Sequence, residues 1–168
     1  MKIALLGHGF IAKAHANAYL VSPRFFNLGE ETELHVVYGR DIGSLKAFAK
    51  AFGFRDYTTD LKEAISSGDV VDNCLPNYMH ASPTIYALSM KKHVLLEKPM
   101  AMSAKEAKDI VEAFKRAGDK LKAMVAFNYR FLPAIALARE LIGEGRLDTV
   151  HEFRAAYLHE SLARPNAV

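Results

Sequence analysis

The sequence of 168 residues contains a single cysteine, Cys74. One thiol cannot form an internal disulfide or supply the ligands of a cysteine-based zinc site, so a disulfide-stabilised domain and a cysteine-ligated zinc domain are both excluded. Long apolar runs are also missing, since no stretch approaches the roughly 18 residues that cross a bilayer. The apolar run at residues 3–6 is too short for a signal-peptide core and leads into a glycine turn without a cleavage site. We therefore expect a cytoplasmic protein with no membrane partner.

An excess of charge of one sign is lacking as well. The chain has 22 basic and 19 acidic side chains, a formal net charge of +3. Residues 1–84 carry 8 basic and 9 acidic groups, and residues 85–168 carry 14 and 10. Neither half is basic enough to indicate a nucleic-acid partner. A hydrophobic fraction of 51% beside 24% charged residues excludes a disordered chain.

Short apolar runs alternate with helical patterns along most of the chain. The runs predicted to be strands are residues 3–6, 34–38, 70–74, 93–96 and 123–127. They lack strict polar alternation, which is typical of parallel strands that helices cover on both faces. Repeated strand–helix–strand units predict an α/β fold with a doubly wound parallel sheet.

The clearest predicted helix begins after Ser103. Ser103 and Glu106 form a capping-box pattern, in which Ser103 accepts from the Glu106 amide and Glu106 reaches back. Gly118 is predicted to end this helix. Its predicted apolar face consists of Ala107, Ile110, Val111 and Phe114.

The alternation of apolar runs and helical patterns changes after Phe127. Residues 133–142 are predicted to form a helix, and residues 149–158 a half-exposed strand of the kind found in antiparallel sheets. We therefore predict two domains: a dinucleotide-binding domain over residues 1–128, and over residues 129–168 a linking helix and the first strand of a second, incomplete α/β domain.

The first predicted strand runs into a glycine-rich turn, Gly7-His8-Gly9-Phe10-Ile11-Ala12. This is the G-x-G-x-x-G/A pattern of dinucleotide-binding Rossmann domains, placed as required between a strand and a helix. Gly7 permits the tight turn, and Gly9 lets the backbone approach a pyrophosphate at the helix N-terminus. A turn without a ligand and an S-adenosylmethionine-binding fold are the alternatives.

The end of the second predicted strand leaves the choice of dinucleotide open. Gly39 occupies the usual place of the acidic residue that bonds the ribose hydroxyls, and Arg40 follows it. Arg40 could stack on adenine or meet a 2′-phosphate, and Asp41 could turn inward toward a ribose diol. NAD and NADP are therefore both candidate cofactors.

Two further loops follow predicted strands at the same edge of the sheet, where ligands bind in open α/β folds. One is residues 74–80 and the other is Glu97-Lys98-Pro99. Lys98 could donate to a substrate oxygen and stabilise alkoxide character as hydride leaves carbon. The plain alternative for this loop is a surface Glu–Lys pair. Cys74 is interpreted as a small buried hydrophobe.

These motifs together resemble the Gfo/Idh/MocA oxidoreductase family. The resemblance rests on residues 7–12 with His15 following, on residues 75–77 with His80, on Glu97-Lys98-Pro99, and on residues 128–134. It implies an NAD(P)-dependent dehydrogenase that acts on a sugar, anhydrosugar or polyol. No metal ligand is implied.

The resemblance assigns roles to matching positions. Lys98 is the implied catalytic residue, which also contacts the cofactor. The other implied cofactor-binding residues are Gly7, Gly9, Phe10, Ile11, Arg40, Leu75, Pro76, Asn77, His80, Glu97, Asn128 and Arg130.

Length is where this sequence departs from the family, whose members are about twice as long. The resemblance implies that the second domain supplies a catalytic Asp and His and, where its sheet is present, forms a homo-oligomer. On this interpretation the chain is an N-terminal portion that lacks those two residues. The alternative is a catalytically silent dinucleotide-binding or regulatory module that acts through a partner chain.

Overall fold

The computed structural model describes residues 1–27 and 29–158, and these residues divide after Phe127 into two compact units. The strands of the first unit are β1 (Lys2–Leu6), β2 (Glu33–Tyr38), β3 (Asp56–Thr58), β4 (Val70–Asn73), β5 (His93–Leu96) and β6 (Ala123–Val125). Its α-helices are α1 (Phe10–Val21), α2 (Ile42–Phe52), α3 (Leu61–Ser67), α4 (Ala81–Ser89) and α5 (Ala104–Ala117).

The strands form one parallel sheet in the order β3-β2-β1-β4-β5-β6, which confirms the doubly wound α/β prediction. The order reverses between β1 and β4, so the crevice between their carboxyl ends is the topological switch point. The predicted strand at residues 123–127 ends at Val125. Strand β3 was not predicted, because three residues are too few for a recognisable apolar run.

Two apolar cores lie on opposite faces of the sheet. On β1, Ala4 and Leu6 pack toward α3, α4 and α5, whereas Ile3 and Leu5 pack toward α1 and α2. All four side chains are fully buried. This alternation follows from the two-residue period of a strand, and burial on both faces explains why the sequence of β1 is continuously apolar.

Helix α5 follows the sequence prediction with two corrections, one at its N-terminal cap and one on its apolar face. Ser103 accepts a hydrogen bond from the Glu106 N–H at 3.2 Å, and Gly118 ends the helix. The Glu106 carboxylate, however, accepts from the Met102 N–H at 2.9 Å, because it reaches one residue further back than the capping box requires. Val111 is exposed, and Ala113 takes its predicted place beside Ile110 in the core.

The described part of the second unit contains a 3₁₀ turn (Asn128–Phe131) and helix α6 (Pro133–Gly143), which confirms the predicted helix. The predicted strand at residues 149–158 is wrong, since these residues adopt no regular strand. A strand needs a neighbour for its N–H and C=O groups, and residues 128–158 provide none. Residues 159–168 of the predicted second domain lie outside the described residues. Over the described ranges, no helix is both long and apolar enough to span a bilayer.

Candidate dinucleotide-binding site

A cavity of about 400 Å³ opens at the switch point between β1 and β4. It brings together seven of the predicted cofactor-binding residues from three separate segments of the chain. The lining consists of Gly7, His8, Gly9, Phe10, Ile11, Tyr38, Gly39, Arg40, Cys74, Leu75, Pro76, Tyr78 and Met79.

The glycine turn shapes one wall of this cavity. Gly7 has φ +105°, and a Cβ there would lie 2.9 Å from the Cys74 carbonyl oxygen, so the turn requires glycine. A Cβ on Gly9 would meet nothing within 4 Å. Gly9 is also the N-cap of α1, where no side chain caps the helix and no acidic residue occupies the first turn. The first-turn N–H groups are therefore available to an anion.

His8 forms the wall toward β2. Its Nε2 lies 3.0 Å from the Ser44 hydroxyl of α2, and its ring lies so close to Gly39 that a Cβ there would be 2.4 Å from Nδ1. Arg40 is exposed on the cavity wall. Asp41 instead caps α2, accepting from the Ser44 N–H at 2.8 Å. The Ser44 hydroxyl and N–H hold the pKa of the Asp41 carboxyl below its usual value.

The loop after β4 divides into exposed and buried parts. Leu75 and Pro76 line the cavity, while Asn77 is exposed but does not line it. The His80 side chain is only 1% exposed. Its Nδ1 lies 2.6 Å from the Pro99 carbonyl oxygen, and its Nε2 lies 2.8 Å from that of Leu75. The buried His80 side chain thus connects this loop to the segment after β5.

Glu97-Lys98-Pro99 follows β5 at the same sheet edge, with a cis peptide bond between Lys98 and Pro99. Lys98 is exposed, and within the described residues its ammonium has no ion-pair partner. Glu97 is largely buried, and one of its carboxylate oxygens accepts from the Lys98 backbone N–H at 2.9 Å. The Lys98 ammonium is therefore available to donate hydrogen bonds, while the Lys98 backbone N–H is held by the Glu97 carboxylate.

A network of polar side chains lies behind this segment. His15 of α1 has Nδ1 2.9 Å from one Asp72 oxygen and Nε2 3.2 Å from one Glu97 oxygen. The Tyr19 hydroxyl donates to Asp72 at 3.0 Å, and the Cys74 sulfur lies 3.4 Å from His15 Nδ1. Asp72 is fully buried on β4. Its bonds to His15 and Tyr19 offset the cost of burying a carboxylate.

The network shifts the pKa values of its members. Burial alone would lower the pKa of His15, but hydrogen bonds and charges from Asp72 and Glu97 outweigh it and raise that pKa. Burial, reinforced by Asp72, raises the pKa values of the Tyr19 hydroxyl and the Cys74 thiol. Both groups therefore stay neutral at ordinary pH.

Donor atoms of His15, Asp72 and Cys74 lie within 4.8 Å of one another, the type of cluster that can hold a metal ion. Hydrogen bonds between the three side chains explain this proximity without an ion. We assign no metal to the cluster. The interpretation of Cys74 as a plain hydrophobe was incomplete, since its sulfur also belongs to this network.

Sequence reasoning missed several residues of the site. His8 and Tyr78 line the cavity, yet neither is one of the residues that the motifs specify, and neither carries a signal of its own. Asp72 did carry a signal, because a carboxylate inside an apolar strand needs a buried partner. Asn128 and Arg130, predicted to bind the cofactor, are exposed in the second unit.

The switch-point cavity, the glycine turn and the uncapped helix are the features of a Rossmann-type nucleotide-binding domain. A family model described as "Oxidoreductase family, NAD-binding Rossmann fold" matches residues 1–127. The chain belongs to this family, Gfo/Idh/MocA, which confirms the predicted resemblance.

Similar proteins include levoglucosan dehydrogenase of Pseudarthrobacter phenanthrenivorans, 39% identical over 99% of this chain and 43% of that protein. Inositol 2-dehydrogenase of Rhizobium meliloti is 29% identical over 89% of this chain and 43% of its own length. A structure of levoglucosan dehydrogenase with NADH and levoglucosan has a TM-score of 0.83 at 36% identity, covering 88% of this chain and 40% of that one. The chain thus spans less than half the length of these relatives.

Proposed function

We propose that the chain binds NAD or NADP and serves hydride transfer between the nicotinamide and a hydroxyl or carbonyl carbon of a sugar, anhydrosugar or polyol. The observation that carries the proposal is the switch-point cavity, whose wall includes the uncapped N-terminus of α1. Relatives named for levoglucosan, glucose 6-phosphate and inositol support the substrate class. The cytoplasmic location stays a prediction.

The cavity wall fits a dinucleotide at its most demanding point, the pyrophosphate. Open space beside Gly9 allows close backbone approach, and the first-turn N–H groups of α1 supply donors for the phosphate oxygens. Arg40 is free to contact the adenosine half, whereas Asp41 is engaged as a helix cap. This arrangement does not restrict the chain to NAD, so both dinucleotides belong in the binding test.

Lys98 is the proposed catalytic residue. A bound nicotinamide ring supplies the hydride acceptor. The Lys98 ammonium is exposed beyond β5, where it would donate a hydrogen bond to the reacting oxygen of the substrate and stabilise negative charge there. Glu97 holds the Lys98 backbone through the 2.9 Å hydrogen bond. The roles implied for Asn77, Asn128 and Arg130 stay predictions.

The binding test compares two glycine variants by calorimetric titration with NADH and NADPH. Gly9→Ala adds a methyl group in open space, so we expect a stability loss of no more than about 1 kcal/mol, from the poorer N-cap residue. Binding should weaken tenfold or more, about 1.4 kcal/mol. Gly43→Ala is the matched control, because it adds the same group on α2 outside the cavity. No binding of either dinucleotide at millimolar concentration would refute the proposal.

The catalytic assignment is tested with Lys98→Met, which removes the ammonium and keeps an unbranched side chain that is one atom shorter. We expect dinucleotide affinity within about threefold of the original. In a form that also carries the rest of the second domain, we expect turnover of levoglucosan or an inositol reduced by about 10² or more. Turnover that survives the substitution would contradict the role of Lys98, and dinucleotide binding with no turnover of any polyol by that longer form would instead favour the silent binding module.

A further inference from the structure

Two histidines hold the residues on either side of Lys98. His15 contacts the Glu97 carboxylate at 3.2 Å, and His80 contacts the Pro99 carbonyl oxygen at 2.6 Å. Neither histidine lines the cavity. The Lys98 side chain projects from a backbone fixed at both neighbours, although the side chain itself is exposed.

The contact through His15 differs from that through His80 because it includes titratable groups. Glu97 uses both carboxylate oxygens: one contacts His15 Nε2, and the other accepts from the Lys98 N–H. The far side of the His15 ring contacts Asp72, which is fully buried and is also held by Tyr19. A continuous hydrogen-bonded path therefore runs from the interior of the sheet to the Lys98 backbone.

We propose that His15 is a positioning residue for Lys98: held by buried Asp72, the protonated ring fixes the Glu97 carboxylate, which in turn fixes the Lys98 backbone. The inference rests on the proposed role of Lys98. A neutral ring bound to Asp72 through Nδ1–H has no proton on Nε2 and cannot donate to Glu97. Loss of the His15 proton therefore releases the carboxylate that holds the Lys98 N–H.

The titratable groups facing His15 come from two strand ends and from α1 itself. Asp72 and Cys74 lie on or after β4, Glu97 follows β5, and Tyr19 shares α1 and reaches Asp72. Cys74 and Tyr19 do not ionise near neutral pH, because burial raises their pKa values. His15 lies between Asp72 and Glu97, and its ring is the group of this set whose charge we expect to change near neutral pH.

The test is an NMR titration without cofactor that follows the His15 ring and the Lys98 backbone amide. We expect the Lys98 amide signal to shift with the same midpoint as the His15 ring. In Asp72→Asn the common midpoint should fall, since the buried carboxylate no longer favours the charged ring. In His15→Gln the Lys98 signal should lose this transition, and that variant decides the matter if Asp72→Asn does not fold.

A matched control is the pair His35–Glu33 on β2, where His35 Nδ1 lies 2.8 Å from a Glu33 carboxylate oxygen. The His35 side chain is as exposed as that of His15. His35→Gln should leave the Lys98 transition unchanged. A Lys98 amide signal that stays constant while His15 titrates would overturn the proposal.

Kinetics separate this proposal from the proposed function. In a form that also carries the rest of the second domain, we expect His15→Gln to lower kcat tenfold or more while KM stays within about threefold. The same variant should remove the alkaline fall in kcat that the loss of the His15 proton causes. Turnover that survives Lys98→Met refutes the catalytic role of Lys98, even if the NMR coupling is present. A kcat that falls with Lys98→Met but not with His15→Gln refutes positioning by His15 alone.

Discussion

The two units of the chain use apolar residues in opposite ways. In the first unit, Leu5 and Ile65 are fully buried between sheet and helices. In the second unit, α6 buries none of its residues, and Ile135, Leu137 and Ile142 are each about half exposed. An apolar stripe therefore stabilises a unit only where a second surface covers it.

The largest effect expected from this difference is on core truncation. Leu5→Ala removes a fully buried side chain, so we expect the free energy of unfolding to fall by about 2–5 kcal/mol. Leu137→Ala, on exposed α6, should change it by no more than about 0.5 kcal/mol. Urea unfolding followed by circular dichroism measures both variants. Equal losses would show that the α6 face is covered in solution.

A smaller effect is expected at a buried polar contact. His80→Leu leaves the Leu75 and Pro99 carbonyl oxygens without their ring partner, so we expect a loss of about 1–3 kcal/mol in urea unfolding. The control is His151→Leu in the second unit, where the side chain is exposed and no regular structure surrounds it. A His80 variant as stable as this control would show that water replaces the lost hydrogen bonds.

Most of the first unit could be predicted from sequence because its strands are buried on both faces and its turns carry glycine. The motif of Gly7 and Gly9 identifies one wall of the cavity from sequence alone, because the turn at Gly7 requires glycine. The wrong strand at residues 149–158 shows the limit: alternating polarity describes one face of a strand but cannot provide its neighbour. The link from Asp72 to Glu97 is likewise long-range, joining residues far apart in sequence through α1.

Helix capping also differs between the two units, and its expected effect on the free energy of unfolding is smaller still. The Ser103 hydroxyl caps α5, so Ser103→Ala should cost about 1 kcal/mol of unfolding free energy. Leu132 at the N-cap of α6 makes no side-chain cap bond, and Leu132→Ser should increase the helix content of the second unit without lowering the stability of the first. Amide hydrogen exchange resolves the two helices separately. Faster exchange in α6 of Leu132→Ser would contradict this expectation.

The smallest expected effect is the pH dependence of stability through His15. Its pKa is raised on folding from the ordinary 6.5, so the charged ring stabilises the fold fully below pH 6.5, and this contribution is lost as pH rises through the folded-state pKa. Stability of the original minus that of His15→Gln should therefore decline as pH increases from 6.5 toward the alkaline side. Because the ring is partly exposed, solvent screening keeps this decline small. A difference that grows with pH would mean that the neutral ring is the form that folding favours, and that desolvation outweighs Asp72 and Glu97.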